Sequence, residues 1–598
     1  MKRRLLPMMM TLVLVCALPI WAAFVTSGDV TNPLVETAEA TESTLVDVDT
    51  PVALRQAIEA GNSVKLTSDT IFIDSTLVVT KPLTIDLNGR LLRRSQGTGS
   101  VIQVDAGATL TLTDSGNGSK TYPFKKNADW GYWEYSVKQG DTWFEGGIIA
   151  GGNAHAKLDD GNGGGVHVAN GGTFIMEKGK IIGCQADKNG GGVYVEDGGK
   201  FIMNGGEING CVTYSGDKGG NVYVGAGAVF QMGDSARITE CIARASSGGG
   251  VYVAENGTFT MSGSSAITNC KGSSGGAVYN AGTFTMGGSS RIADCIYISS
   301  IASGGGVHNK GTFNVEGGSI TGSVNDYNRE QSSDDICIEG TLNAGITIAC
   351  NVNVGYGGTI SKGTFTGRVW IGSGGTISNG KFENTVINYT GTITGGEFTG
   401  EVKSDQGIID GGTFRGSVTS SGYGAILSNG NFHESVTNSG YGATISGGTF
   451  DKNVTNKTYA TLNGGIFYGG VTNDGGTIED GAYETVTFNP DGGTPVEEAK
   501  VLRGQKVAKP TDDPTKSGYT FTDWYLGDAR YDFDTPVIAP LTLTAKWEKV
   551  PSSGGYYYTQ PAEPPVSSPK TADPGVALYA ALSLLSLTGM VVLNGKKR

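Results

Sequence analysis

Apolar residues in the interior of this chain come in runs of three or four that alternate with polar ones, and the runs return at a fixed interval. From Gly163 the sequence passes through GGGVHVANGGTF, GGGVYVEDGGKF, GGNVYVGAGAVF, GGGVYVAENGTF, GGAVYNAGTF and GGGVHNKGTF. Val166, Val193, Val222, Val251, Val278 and Val307 are 27 to 29 residues apart, and Phe174, Phe201, Phe230, Phe259, Phe284 and Phe313 keep pace at 25 to 29. Period-two alternation bounded by Gly reads as a short half-buried strand. Each unit holds three such pieces, for instance Val193 to Val195, Phe201 to Met203 and Ile208 to Val212. Three strands and three corners make one coil of a solenoid.

The period then shortens. Phe365, Phe382, Phe398, Phe414, Phe432, Phe450, Phe467 and Tyr483 are 16 to 18 apart, with Ile or Leu five residues before each and Gly two before. Val stands four after in seven of the eight. One apolar anchor per side of a small coil, with Gly where the backbone turns tightly, is again a solenoid pattern. Of the 97 Gly, 77 lie between Gly146 and Gly481, without a G-X-Y period, which excludes collagen. Helical arrays are excluded as well, since each interior Gly costs a helix about 1 kcal/mol.

The predicted fold is therefore all-β. A parallel β-helix (β-solenoid) extends over 45–482, with cap and first coils at 45–145, ~28-residue coils at 146–335 and ~17-residue coils at 336–482. An N-terminal capping helix is predicted from Thr50 as N-cap, Pro51 at the first position, Leu54, Ala57 and Ile58 on one face, and Gly61 as the stop. Strands over 64–67, 70–73, 77–80, 83–87 and 110–113 begin the stack.

The helix, the segments LTIDLNG and ATLTLTD, and the GGGVYV and GTFTM units together resemble the right-handed parallel β-helix repeats of bacterial surface adhesin-like proteins. The GG-A/G-V units are also similar to chlamydial polymorphic membrane protein repeats. That resemblance implies fold more than activity, because β-helices carry lyases, hydrolases and inert adhesins alike. Residues 483–548 break the pattern, with VTFNPDGG, GYTFTDWY and LTLTAKW. They resemble the Listeria-Bacteroides (internalin B-type) repeat, whose G-Y-x-F-x-G-W core matches Gly518, Tyr519, Phe521 and Trp524, with Asp523 in place of Gly. A small β-grasp-like module of cell-surface proteins is implied.

Both termini read as processing signals. Lys2, Arg3 and Arg4 precede an apolar stretch from Leu5 to Ile20 and small residues at Ala22 and Ala23, the pattern of a signal peptide over 1–23, with Ala38 to Ala40 an alternative cleavage region. Cys16 raises a lipoprotein reading, but Val15 before it is a poor match. A Pro/Ser-rich spacer at 549–570 leads to Ser568-Pro569-Lys570-Thr571-Ala572, an apolar run from Val576 to Leu593 long enough to span a membrane, and Lys596-Lys597-Arg598. This tail resembles a Gram-positive sortase sorting signal over 571–598, with Ser568 for Leu and Ala572 for Gly of L-P-x-T-G. The resemblance implies cleavage after Thr571, sortase as processing partner and covalent transfer of Thr571 to cell-wall peptidoglycan. A plain C-terminal membrane anchor is the alternative.

Little in the chain points to chemistry. A formal charge of -13 without a basic stripe argues against nucleic acid as a partner. Cys184, Cys211, Cys241, Cys270 and Cys295 follow their Phe by 10 or 11 residues and form one column, read as buried small residues in preference to disulfides. No Cys-x-x-Cys spacing indicates a metal, and no cofactor is expected. Cys337 and Cys350 are left as a possible separate link. His167 and His308 take the slot of Tyr194, Tyr223, Tyr252 and Tyr279 and read as members of an aromatic column; Asp159-Asp160 and Asp334-Asp335 read as solvated loop acids. No catalytic residue is assigned. The binding candidate is the aromatic insertion at 119–145, with Trp130, Tyr132, Trp133, Tyr135, Trp143 and Phe144, whose faces suit a sugar ring or a protein partner. A flap packed on the first coils explains it equally well. The expected function is that of a cell-wall-anchored adhesin binding a host glycan or protein. A surface polysaccharide lyase or hydrolase and a passive stalk are the alternatives.

Overall fold

The computed structural model of the chain describes residues 44–128, 131–138, 141–214, 220–244, 247–298, 304–325 and 335–551. The signal peptide, Trp130, Asp334, nearly all of the spacer and the whole sorting signal (Ser568, Pro569, Lys570, Thr571 and Ala572) lie outside the described residues. Among the described residues no helix is long and apolar enough to cross a membrane.

Parallel strands stack into ladders that run the length of the solenoid. A valine ladder of 17 strands extends from Leu77–Val79 to Val471–Asp474, and a phenylalanine ladder of 23 strands from Val46–Val48 to Thr477–Ile478. An isoleucine ladder of nine strands runs from Thr70–Ile73 to Ser319–Thr321. Seventeen strands at ~4.8 Å spacing give a rod about 80 Å long. Register sets like on like: Val193 pairs with Val222 and Val222 with Val251, and Phe201 pairs with Phe230 and Phe230 with Phe259. The Phe rings stack at 4.6 to 4.9 Å from Phe174 to Phe313 and are wholly buried.

The coil of the first array has four strands, not three. The expected piece from Ile208 to Val212 is broken into Glu207–Asn209 and Val212–Thr213, hinged at Gly210 with φ +55°. The short second strands form a fourth ladder of seven, from Asn153–Ala154 to Val324–Asn325. Every coil turns this corner through one left-handed residue: Gly151, Gly183, Gly210, Glu240, Asn269, Asp294 and Gly322, φ +52° to +75°. Side chains that tolerate this conformation vary along the column, so no constant letter marks it. In the five coils with corners at Gly183, Gly210, Glu240, Asn269 and Asp294 the residue after the corner is the column cysteine. All five are fully buried free thiols, and Cys295 Sγ lies 3.2 Å from the Ala293 carbonyl. Burial pushes the Cys211 and Cys270 thiols well above their usual range. The link considered for Cys337 and Cys350 is not formed: neither is in a disulfide, Cys337 lying between His308 and Asn353 in the valine ladder and Cys350 against the core.

The two arrays share one axis. The valine ladder passes from Val307 through Ile336 to Val352 and Val369, and Phe313 continues through Leu342 to Ile360 and Ile377. The period shortens because the isoleucine and cysteine ladders stop at Ser319–Thr321 and Val324–Asn325. A new Phe column starts where Ile348 pairs with Phe365, so both apolar anchors now sit in one sheet. The Gly two residues before each Phe, from Gly363 to Gly465, has φ between +98° and +137°, and a Cβ there would stand 2.9 to 3.4 Å from that Phe ring. The third residue of the valine strands is polar from Asn388 onward and buried through Asn456. Asn438 Nδ2 donates to Asn456 Oδ1 at 3.1 Å, and Asn456 Nδ2 to Asn473 Oδ1 at 3.0 Å.

Both ends of the stack are covered. The helix Pro51–Ala60 forms as expected: Thr50 Oγ1 accepts from Ala53 N, Gly61 closes it at φ +83°, and Leu54, Ala57 and Ile58 are buried against the first coil. At the other end Phe467 N donates to Arg503 O at 2.8 Å, and Gln505 Nε2 donates to Phe467 O. The turn after the strand Ala499–Leu502 of the C-terminal module thus takes up main-chain groups of the last coil. That module is a five-stranded sheet in which Tyr483–Asn489 and Leu541–Lys549 lie parallel at the centre, flanked by Ala499–Leu502 on one side and Tyr519–Leu526 and Ala529–Arg530 on the other. Trp524 fills its core beside Phe488 and Leu543. Asp523, in the position of the family's Gly, sits at a bulge and is buried, with Arg530 and Lys509 (3.2 Å) on its carboxylate and the Trp524 N–H donating at 2.9 Å. Burial raises this carboxyl, but the Trp524 amide, Arg530 and Lys509 outweigh it and hold it below the ordinary range.

Two outcomes follow from this packing. Phe398→Ala removes one ring from the middle of the column and should cost about 3 to 5 kcal/mol, against within about 0.5 kcal/mol for the exposed Tyr441→Ala, measured by calorimetric unfolding. Asp523→Asn should cost about 1.5 to 3 kcal/mol at neutral pH, the worth of charge-assisted hydrogen bonds. Because the folded carboxyl titrates below its unfolded value, this stabilisation is present above about pH 4 and is lost as pH falls through the folded pKa. The melting temperatures of wild type and variant should therefore converge on acidification.

Candidate binding cleft under the aromatic insertion

The insertion leaves the phenylalanine ladder after Thr109–Thr113 and rejoins the isoleucine ladder at Ile148–Ala150. Alternating aromatic residues make it a three-stranded antiparallel flap of Thr121–Lys126, Trp133–Tyr135 and Thr142–Glu145. One face of the flap is apolar and closes on the solenoid. Tyr122, Phe124 and Trp133 bury against Leu91, Ile148, Ala150 and Ile182, and Phe144 meets Phe124 and Trp133 edge to face. Tyr122 OH donates to Asp69 O at 2.7 Å, and burial pushes its hydroxyl up to about 12.

The landing place is the left-handed corner column. A Cβ on Gly183 would stand 1.9 Å from Trp133 O, and one on Gly210 2.0 Å from Trp133 Cδ1. One coil further on, Glu240 occupies the same corner and accepts Trp133 Nε1–H at 3.0 Å, with Lys126 Nζ at 3.1 Å. Two glycines and one acid along one column thus seat the flap and clasp its tip.

The predicted residues divide accordingly. Tyr132 and Trp133 are buried, Tyr132 edge to face with Tyr214 and hydrogen-bonded to Glu134. Trp143 is 60% exposed on the outer face. Tyr135 is half-buried and, with Trp133, lines a cleft of about 320 Å³ between flap and rod, whose other walls include Arg93, Glu134, Gln96 and Gln185. The Arg93 guanidinium lies 4.8 Å over the Tyr135 ring, and its Nε is buried without a hydrogen-bond partner. Burial works against its charge. Arg94 is spent on Thr76, Thr98 and Ser100. Arg93 was missed because LLRR reads as an ordinary strand; its place one register step from Ala150, at the flap's root, is the signal that would have found it.

The acids are structural. Asp159 and Asp160 accept from the backbone of Gly161 and Asn162, and Asp160 also faces His167 at 3.4 Å. Asp335 is not a solvated loop acid: it is partly buried, accepts from Ser323 N and Asn351 N, and burial raises its carboxyl. The column histidines take their expected register, His167 beside Tyr194 and His308 beside Tyr279. An exposed row, Tyr423, Tyr441 and Tyr459, also went unread; its rings are 5.3 Å apart on successive corners of the second array.

Residues 485–546 match the Listeria-Bacteroides repeat domain. The chain matches no curated protein and no solved structure. The repeat domain and the β-helix-like stack together suggest a surface or extracellular protein.

Gly210→Ala should release the flap, since the added methyl meets the Trp133 ring in a left-handed residue. Asn269→Ala, at an equivalent corner with no flap above it, should show only the ~1 to 2 kcal/mol backbone cost. Tryptophan fluorescence should shift to the red and become open to acrylamide quenching in the first variant and not in the second.

Proposed function

We propose that the chain is an exported surface protein of a Gram-positive bacterium, fixed to the wall through Thr571, and that it works as an adhesin by holding a glycan in the cleft under its flap. The cleft carries this reading. It offers the Tyr135 ring to the face of a sugar, and Arg93 beside it has a buried donor with no partner. Aromatic stacking with a few converging polar groups is the recognition chemistry of sugar sites. The solenoid supports it as a rigid mount, and the C-terminal module and spacer set that mount away from the wall. We read the role as binding, with Asp159, Asp160 and Asp335 accepting from backbone amides. Sortase would process the tail at Thr571, and peptidoglycan would be the covalent partner.

Purified chain should be applied to an array of neutral and acidic glycans and of host matrix proteins, with assay for released oligosaccharide. Tyr135→Ala and Arg93→Gln should each weaken glycan binding at least about tenfold, the scale of an interface hot spot, while Tyr441→Ala leaves it unchanged. Binding insensitive to both cleft variants would remove the cleft from the function, and release of oligosaccharide would replace the adhesin with a lyase or hydrolase. Thr571→Ala should move the protein from the cell-wall to the membrane fraction.

A further inference from the structure

The outward column of the valine ladder runs Tyr194, Tyr223, Tyr252, Tyr279, His308, Cys337, Asn353. Its tyrosines stack ring on ring, and the stack ends at His308, whose ring lies 5.1 Å from Tyr279. At this point, where the ~28-residue coils give way to the ~17-residue ones, the column changes chemistry. His308 and Cys337 are each only 4% exposed, and Glu339, two residues past Cys337, closes over them from the solvent side. One nitrogen, one sulfur and one carboxylate oxygen from these residues all lie within 4.8 Å of one another.

The partners of His308 single out one ring nitrogen. Nδ1 is held by Ser274 Oγ at 2.6 Å. Nε2 is buried and makes no hydrogen bond, although Glu339 Oε1 faces it at 3.4 Å. The other oxygen of Glu339 is held by Lys310 Nζ at 3.0 Å. A buried nitrogen with no hydrogen-bond partner thus faces a carboxylate oxygen, with a thiol close to both.

From this arrangement we infer a binding site for one divalent transition-metal ion of the zinc class, with His308 Nε2, Cys337 Sγ and Glu339 Oε1 as ligands. The donor set suits that class, for which N, S and O ligands at about 2.0 to 2.3 Å are usual. Three atoms no more than 4.8 Å apart have a common centre at most about 2.8 Å from each, so side-chain movements of about 0.5 to 0.8 Å bring them to bonding distance. Ser274 orients the imidazole as an outer-shell partner does at metal-bound histidines. The half-exposed Glu339 gives the ion a route in and leaves a fourth position to water. The ligands come from the last coil of the first array and the next coil of the valine ladder, so the ion would bind the two arrays together across the change of period.

The test uses the purified full chain, stripped with chelator, kept reduced and titrated with Co²⁺. One equivalent should bind with a sulfur-to-cobalt charge-transfer band in the near ultraviolet, and Zn²⁺ should displace it. Cys337→Ser should abolish the band, and Glu339→Gln should weaken binding at least about tenfold. Ser274→Ala, a positioning change, should weaken it about tenfold and keep the band. Cys270→Ser, in the buried column, should bind like wild type. Near-ultraviolet circular dichroism verifies folding of each variant. Absence of the band in folded wild type, its persistence in Cys337→Ser, or its loss in Cys270→Ser would overturn the assignment.

Discussion

A parallel strand in this solenoid satisfies its main chain only by lying one coil from its neighbours, and that ~4.8 Å spacing fixes what every side chain touches. The contact above and below each residue is the residue at the same coil position. A Phe therefore meets Phe, and rings 4.6 to 5.1 Å apart and nearly parallel are the consequence. The same constraint turns a buried Asn from a liability into a chain of donors and acceptors, as Asn438, Asn456 and Asn473 show. A lone buried amide in a core would be left unpaired at a cost of several kcal/mol; in the column the Nδ2 donors of Asn438 and Asn456 are each taken up by the next side chain. Repetition of sequence is thus the direct result of stacking, and it needs no ligand to explain it.

Stacking also creates two problems at the ends, because the first and last coils have main-chain groups with no coil to pair with. The helix Pro51–Ala60 covers the first coil with Leu54, Ala57 and Ile58. The last coil is covered differently. The Listeria-Bacteroides module brings its 502–505 turn onto Phe467, whose amide and carbonyl are both taken up. Gly504 is required there, since a Cβ would stand 2.7 Å from Phe467 N and the residue has φ +94°. The module is accordingly a terminator of the rod.

What could be read from the letters follows from the same physics. Val, Phe and the Gly before each Phe were legible because a fixed environment recurs at each, so the same residue type recurs. The helix was legible because Thr50, Pro51 and Gly61 each have a local reason to be where they are. The fourth strand was not, because its corner demands only a backbone conformation that Gly, Asn, Asp and Glu all adopt here. Continuity across the junction was hidden as well: the Phe column of the first array continues as the Leu and Ile column of the second, so the eye follows the wrong letter. The insertion was legible as aromatic but not as a flap, since long-range packing decided which rings were spent on the rod. Tyr132 and Trp133 face inward for that reason, and Arg93, in an ordinary strand, becomes part of the cleft.

The departures from repetition are where this rod is able to do something. A coil in the middle of the stack presents nothing that its neighbours do not. The flap sits where the corner column reads Gly183, Gly210, Glu240, two positions without side chains and one with a carboxylate, a sequence of three that no other part of that column offers. The tyrosine column is bounded by His167 and His308, and each end has a carboxylate within reach, Glu196 at 2.9 Å and Glu339 at 3.4 Å. Adding one 29-residue step to His308 gives Cys337, so the junction cluster is itself written in the period. In a stack that enforces likeness, a retained unlike residue costs the contact its neighbours would have made. Its environment then has to supply another, and the cleft and the junction cluster are where Arg93 Nε and His308 Nε2 are buried without a hydrogen-bond partner.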